Sequence, residues 1–240
     1  ISPYRRFDWT SFDLADVKTI KNALGGTIND VVLVVTTTAI RRFLEARHVD
    51  VARIEDFRAF LPVNLRKPGG GSIGNQVAML LAELPVSEPD PIERLRKIIR
   101  VTTALKKESN QPAGAQLLED IANLTTRKLI LGISRAAIRR RAYSIVITNV
   151  PGPPLELHLL GAPMTRIYPL VPIPPTQKLG VALFSYAGRL CWGFNADWER
   201  FPDSHEFVEL LESSFEEYLS RARGAPEARS QARGDATAAP

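Results

Sequence analysis

Apolar side chains recur every three to four residues in several parts of the chain, and this spacing predicts amphipathic helices. The first lies in residues 14–24, where the glycine pair that follows ends the run, and its apolar positions are Leu14, Val17, Ile20 and Leu24. The same spacing predicts a basic helix over Pro91–Lys107, a longer helix over Ala113–Arg141, and a closing helix whose start resembles a capping box, Asp203-Ser204-His205-Glu206.

The segment after Gly26 is harder to assign because it is rich in β-branched residues, which favour strands. Residues 31–38 read Val-Val-Leu-Val-Val-Thr-Thr-Thr. However, Thr27 and Asp30 have the spacing of a capping box, and helical periodicity returns from Ala39 to Leu44. We therefore predict a buried helix over Val31–Arg47.

Alternating or continuous apolar runs predict strands elsewhere. Residues 57–65 and the run from Gly74 through Leu84 flank a glycine-rich loop and are expected to pair, and residues 144–150 form a further strand. Short extended runs follow, and they predict a small sheet from residues 155–160, 164–170, 179–186 and 189–194. This order of elements predicts an α+β sandwich with a mixed sheet flanked by helices, and not a doubly wound nucleotide-binding fold.

The strand at residues 144–150 runs into an unusually stiff turn. Pro151, Pro153 and Pro154 each fix φ and remove a backbone donor, Gly152 between them permits a positive φ, and Asn149 offers an amide at the end of the strand. Such a turn frames a cleft or tunnel, or it is a plain strand exit; the spacing alone leaves both open.

Composition limits the class of protein. The chain has 240 residues, of which 45% are hydrophobic, so one sizeable core is expected. A single cysteine, Cys191, rules out an internal disulfide, and no apolar run reaches the length of a membrane span or signal peptide. The expected compartment is the cytoplasm.

The net charge of +5 is unevenly distributed. Between Asp120 and Glu156 the chain has six basic residues and no acidic one, and they fall within Arg127–Arg141. With leucine and isoleucine beside the charges, this segment predicts either peripheral contact with an anionic membrane or lipid-droplet surface, or a solvated face. We do not expect nucleic-acid binding, because no aromatic interleaving, zinc spacing or recognition helix accompanies the charge.

The two ends of the sequence predict how far the folded unit extends. The chain opens on Ile1 as though it continued a preceding segment, so we expect it to be part of a longer polypeptide. Residues 1–221 are predicted to form one folded unit, and the Ala-, Arg-, Gly- and Pro-rich residues 222–240 a disordered tail.

Residues able to perform catalysis are sparse. The three histidines, His48, His158 and His205, have no spacing with Ser, Cys, Asp or each other that suggests a catalytic or metal site. Neither a metal nor a resident cofactor is expected, and no catalytic residue is assigned to this chain.

Several short motifs, in this order and spacing, resemble the C-terminal half of the bacterial wax ester synthase/acyl-CoA:diacylglycerol acyltransferases. The resemblance covers about residues 4–219, and its motifs are Thr27–Val32, Leu61–Arg66, Gly74–Gln76, Thr148–Pro153 and Ser185–Gly188, with Asp197 and Asp203.

The resemblance implies one lobe of a two-lobed sandwich like that of chloramphenicol acetyltransferases and condensation domains, with a substrate tunnel between the lobes. The implied activity is transfer of a fatty acyl group from acyl-CoA to diacylglycerol or a long-chain alcohol. The family's catalytic His-His-x-x-x-Asp-Gly motif belongs to the N-terminal lobe and does not occur in this sequence. The chain alone is therefore expected to be inactive and to need that lobe as its partner, with acyl-CoA and a lipid alcohol as substrates.

The resemblance also implies which residues line the tunnel or support it: Asn29, Asp30, Arg66, Asn75, Asn149, Pro151, Gly152, Ser185 and Tyr186. For Asn29 and Asp30 a helix cap and a tunnel wall both remain open, and for Arg66 a salt bridge and a CoA phosphate contact. Two other functions also remain open: a non-catalytic scaffold or lipid-binding lobe, and half of a condensation-domain-like acyltransferase.

Overall fold

The computed structural model describes residues 2–64, 77–109 and 143–225. The chain order is a strand, two helices, a short 3-10 turn at Val51–Arg53, two strands, a helix, five strands and a final helix. The strands are β1 (Arg5–Asp13), β2 (Arg58–Asn64), β3 (Val77–Glu83), β4 (Ile145–Pro151), β5 (His158–Leu159), β6 (Ala162–Pro163), β7 (Leu179–Tyr186) and β8 (Arg189–Asp197), and the helices are α1 (Leu14–Leu24), α2 (Ile28–Glu45), α3 (Pro91–Ser109) and α4 (Ser204–Gly224).

Six of these strands form one mixed sheet in the order β1-β8-β7-β4-β2-β3. The β2–β4 and β4–β7 pairs are parallel, and the other pairs are antiparallel. The pairing of β2 with β3 is confirmed. The predicted small sheet is wrong: β7 and β8 belong to the large sheet, and the separate ladder contains only β5 and β6. Strand β1, which sequence patterns did not predict, pairs along its whole length with β8.

The helices pack against the sheet face that bears Leu179, Val181 and Leu183. Helix α2 is the centre of this core, since its residues 30–40 are all buried. It is helical despite its β-branched sequence because its cap fixes the first turn and its side chains pack in the core. The buried hydroxyls of Thr36, Thr37 and Thr38 are satisfied because they donate to carbonyl oxygens four residues earlier. The predicted buried helix is therefore confirmed, beginning at Ile28 and ending at Glu45.

The opposite face of β7 and β8 is covered by residues 164–177. A side chain at Gly180 would meet Val171 and Ile173, and one at Gly193 would collide with the Pro169 carbonyl. Asn195 Nδ2 donates to the Val171 carbonyl at 2.9 Å. The strand predicted at residues 164–170 is wrong: this segment lies across the sheet without joining a ladder, and prolines at 169, 172, 174 and 175 remove backbone donors from it and from the residues that follow.

The ends of the predicted helices differ in detail from the structure. The closing helix is confirmed, but the Asp203 side chain makes no capping bond and instead pairs with Arg47 at 2.6 Å. That helix continues to Gly224, three residues into the predicted tail, and the tail beyond residue 225 lies outside the described residues. So does the helix predicted over Ala113–Arg141, which contains the basic segment.

Among the helices within the described ranges, none is both long and apolar enough to cross a membrane by itself. Helices α1 and α2 meet the length and composition criterion only as a pair, which is bent by 94°.

Candidate functional site

Two of the motifs found in the sequence meet in the structure through their asparagines. Asn149 Nδ2 donates to Asn29 Oδ1 at 2.8 Å, across a sequence separation of 120 residues. Asn149 lies near the end of β4, and Asn29 is the second residue of α2. The bond therefore joins the end of a central strand to the start of the buried helix.

The position of Asn29 depends on the cap of α2. The capping box predicted at Thr27 and Asp30 is confirmed: the Asp30 carboxylate accepts from Thr27 N at 2.7 Å, and Asp30 N donates to Thr27 Oγ1 at 3.3 Å. The other carboxylate oxygen accepts from Thr102 Oγ1 of α3 at 2.6 Å. Because Asp30 is 2% exposed and both its oxygens are bonded, it acts in this structure as a cap and a brace between α2 and α3.

Gly152 brings the turn after β4 close to β7. Its backbone N–H donates to Ser185 Oγ at 3.1 Å, and a Cβ atom there would overlap the Phe184 ring and the Ser185 carbonyl. Gly152 does not use the positive φ that glycine permits, since the glycines with positive φ in the described ranges are Gly25, Gly26, Gly161 and Gly188. Glycine is needed here for close backbone approach.

Tyr186 faces away from the asparagine pair. It is buried, its hydroxyl donates to the Met164 carbonyl at 2.7 Å, and it accepts from Leu157 N at 2.7 Å. Tyr186 thus secures the segment that follows the Asn149–Pro154 turn.

Two cavities adjoin the asparagine pair, and both are lined by Asn29 and Asn149. The inner cavity, of about 210 Å³, is mainly apolar and is completed by Val32, Leu33, Leu61, Pro62 and Ile147. The outer cavity, of about 540 Å³, has polar and charged side chains among its walls, with Lys21, Thr27, Lys106 and Ser185 beside apolar residues such as Leu14, Ile28 and Leu190. Asn29 and Asn149 thus lie at the border between a cavity with mainly apolar walls and one that also bears charged and polar side chains.

The predicted site residues have different roles in the structure. Asn29, Asn149, Pro151 and Ser185 line the outer cavity, whereas Asp30, Gly152 and Tyr186 hold neighbouring backbone in place. Arg66 and Asn75 lie outside the described residues. Sequence reasoning missed Lys21 and Lys106, and no spacing singles them out among the 31 lysines and arginines of the chain.

Asp197, another residue of the family pattern, is buried away from these cavities. Burial by itself raises the pKa of its carboxyl, but hydrogen bonds from the backbone N–H groups of Arg200, Ser2 and Glu199 outweigh that effect and lower the pKa below its usual range. Asp197 therefore ties the turn after β8 to the start of the chain.

Among the residues that the structure describes, no carboxylate side chain lines either cavity. None of the three histidines lines either cavity. Over residues 2–64, 77–109 and 143–225, no three His, Cys, Asp or Glu side chains cluster in a way that could hold a metal ion. What the two cavities present is amide, hydroxyl, ammonium and apolar groups.

Comparison with known proteins identifies the family. The model of the WS/DGAT C-terminal domain matches residues 73–218, and that of the wax ester synthase/diacylglycerol acyltransferase catalytic domain matches residues 1–32. The second match covers β1 and ends inside α2. In this structure β1 is an edge strand of the six-stranded sheet.

Individual relatives agree with the family that these models identify. A probable diacylglycerol O-acyltransferase of Mycobacterium tuberculosis is 31% identical over 217 residues, which are 89% of this chain and 46% of that protein. The solved wax ester synthase/diacylglycerol acyltransferase from Marinobacter aquaeolei VT8 is 26% identical with a TM-score of 0.69, covering 91% of this chain and 49% of that one. The chain thus spans about half the length of the relatives it matches.

A more distant likeness concerns the fold alone. The epimerization domain from the third module of tyrocidine synthetase B has a TM-score of 0.51 at 11% identity, over 91% of this chain and 47% of that one. The predicted fold class, a mixed sheet flanked by helices as in the condensation-domain group, is confirmed. From the family matches and the relatives together, the chain belongs to the wax ester synthase/diacylglycerol acyltransferase family.

Proposed function

We propose that this chain is the C-terminal lobe of an O-acyltransferase that moves a fatty acyl group from acyl-CoA to diacylglycerol or a long-chain alcohol. One observation carries the proposal: the hydrogen-bonded Asn29–Asn149 pair lies where a cavity with mainly apolar walls meets one that also bears charged and polar side chains. A substrate with an acyl chain at one end and a polar carrier at the other has the chemistry to occupy both.

The role of this lobe in that reaction is to bind and position substrate. Attack of a hydroxyl on a thioester needs a group that removes the hydroxyl proton. The cavity walls provide no histidine, and the sequence contains no adjacent pair of histidines. We assign the general base to an N-terminal lobe, as the family resemblance implies, with acyl-CoA as a substrate and no resident cofactor.

The inner cavity suits the acyl chain or the apolar part of the acceptor. Val32, Leu33, Leu61 and Ile147 give it apolar walls, and transfer of methylene groups from water to such walls is favourable by about 0.8 kcal/mol for each group. At its boundary, the amide N–H groups not used in the Asn29–Asn149 bond are hydrogen-bond donors suited to a carbonyl oxygen.

A second candidate is a non-catalytic scaffold or lipid-binding lobe. It is favoured by the same lack of a histidine in the cavity walls, because lipid binding needs no base. Half of a condensation-domain-like enzyme, which takes its acyl group from a carrier protein, is a third candidate on fold alone. Peripheral membrane contact through Arg127–Arg141 remains a prediction, since that segment lies outside the described residues.

An activity measurement separates these functions. Palmitoyl-CoA with hexadecanol or with diacylglycerol is supplied to this chain alone, and then to a polypeptide that joins it to the family's N-terminal lobe. We expect ester formation only with both lobes. Turnover by the isolated chain would refute our assignment of the base, and lipid binding without turnover by the joined lobes would favour the scaffold.

A further inference from the structure

Ser185 lines the outer cavity with a hydroxyl group that the hydrogen bonds of the fold use only in part. Its side chain is half-buried, and its Oγ atom accepts from Gly152 N at 3.1 Å. Within the part of the chain that the structure describes, this is the one hydrogen bond of the Ser185 side chain. Since a serine hydroxyl has one donor and two acceptor sites, the Ser185 O–H can donate to a group that enters the outer cavity.

The parallel pairing of β4 and β7 places Ser185 close to the asparagine pair. Asn149 is level with Leu183, and Pro151 with Ser185. Because alternate residues of a strand share a face, Asn149 and Ser185 lie on the side of the sheet that Leu183 buries under the helices. From strand spacing and rise, their Cα atoms are roughly 8 Å apart. The Asn149 amide and the Ser185 hydroxyl therefore line one cavity from adjacent strands.

The backbone on either side of the Ser185 side chain is firmly held. Gly152 approaches so closely that an added Cβ atom would overlap the Ser185 carbonyl. The next residue, Tyr186, is buried, and its hydroxyl is bonded to Leu157 N and the Met164 carbonyl. A donor that is fixed in this way loses little conformational freedom when it binds a ligand.

A carbonyl oxygen is the substrate group that best matches this donor. A carbonyl accepts hydrogen bonds and cannot donate them, and its burial without a donor is unfavourable. The apolar part of the outer cavity wall, which includes Leu14, Ile28 and Leu190, provides no donor side chain. Diacylglycerol has ester carbonyls beside its reacting hydroxyl, and the carrier arm of acyl-CoA has amide carbonyls, whereas hexadecanol has no carbonyl.

We propose that the Ser185 hydroxyl donates a hydrogen bond to a carbonyl oxygen of a bound substrate, either an ester of diacylglycerol or an amide in the carrier arm of acyl-CoA. This inference rests on the proposed acyl transfer and assigns one contact of its substrate site. Ser185 then determines affinity for the substrate that brings the carbonyl. It takes no part in proton transfer, which the proposed function assigns to the N-terminal lobe.

The test uses an enzyme that contains both lobes and compares Ser185→Ala with the parent, with palmitoyl-CoA as donor. Three acceptors are supplied: dioleoylglycerol, its dialkyl ether analogue, which has no carbonyl, and hexadecanol. Loss of the contact should raise one KM about tenfold and leave kcat within about twofold. If the partner is an ester, only the KM for dioleoylglycerol rises. If it is an amide, the KM for palmitoyl-CoA rises with all three acceptors and the acceptor KM values are unchanged.

Matched variants separate the contact from a general effect on folding. Ser144, which comes just before β4, is exposed and lines neither cavity, so Ser144→Ala removes a hydroxyl without the proposed contact and should leave every KM unchanged. Ser185→Thr keeps the hydroxyl and should retain the KM values of the parent. Ser185→Cys, whose thiol is only a weak donor, takes the place of Ser185→Ala should the alanine variant not fold.

The outcomes distinguish this inference from the function beneath it. Unchanged KM values throughout, an equal rise with dioleoylglycerol and its ether analogue, a fall in kcat with every acceptor, or an equal effect of Ser144→Ala would overturn the role of Ser185 while leaving acyl transfer intact. No ester formation by the parent with any acceptor would instead refute the proposed function.

Discussion

The amide of Asn149 donates a 2.8 Å hydrogen bond to the side-chain oxygen of Asn29, and this bond joins the two motifs that border both cavities. Both residues have solvent access, so the bond itself adds little stability. The bond matters because it orients both side-chain amides at the border of the two cavities.

For this reason Asn149→Ala should separate function from folding. In the enzyme with both lobes we expect kcat/KM for palmitoyl-CoA to fall at least about tenfold, and the free energy of unfolding in urea to fall by less than about 1 kcal/mol. Asn22→Ala, at an exposed position on α1 that lines neither cavity, is the matched control and should leave activity unchanged. Full activity in Asn149→Ala would show that the turn after β4 is only a strand exit.

The carboxylate of Asp30 should instead contribute mainly to stability. Asp30→Ala removes its bonds to Thr27 and Thr102, and with them both the helix cap and the brace to α3, so we expect a loss of about 3 kcal/mol in the free energy of unfolding. Thr102→Val removes the brace alone and should cost about 1 kcal/mol. Denaturant unfolding measures both, and a loss near zero in Asp30→Ala would show that the cap adds nothing.

Gly152→Ala tests the close approach of the turn to β7. The added methyl group would overlap the Phe184 ring and the Ser185 backbone, so we expect a destabilisation of about 1–3 kcal/mol. Gly224, at the end of α4, has open space around it, and Gly224→Ala should change stability by less than about 1 kcal/mol. Equal unfolding midpoints for these variants would contradict the packing seen at Gly152.

Asp197 should make stability depend on acid pH. Its pKa is lower in the folded chain than in the unfolded one, where an aspartate titrates near about 3.9. Its contribution is therefore fully present above that value and is lost as pH falls through the folded pKa. Urea unfolding between about pH 3 and pH 7 should show a steeper acid loss for the parent than for Asp197→Asn. Parallel pH profiles would exclude a role for this carboxyl.

The sequence patterns predicted those parts of the structure that depend on residues close together in the chain. The capping box at Thr27 and Asp30 and the spacing of apolar residues in α1 are both relations between residues at most one or two helical turns apart, and the structure confirms both. The prolines of residues 164–175 illustrate the opposite case. An extended segment can lie across a sheet or join it, and only the space left by Gly180 and Gly193 decides that it lies across.

The sequence by itself determined the helices that the structure describes, most strands of its large sheet and the motifs that mark the family, because spacing, capping and turn residues act over short distances. The tertiary structure alone decided that Asn29 meets Asn149, that Asp30 braces α3 through Thr102, and that Lys21 and Lys106 line one cavity. These contacts join residues far apart in the chain. Their physical cause is the packing of helices on a mixed sheet, which no local pattern encodes.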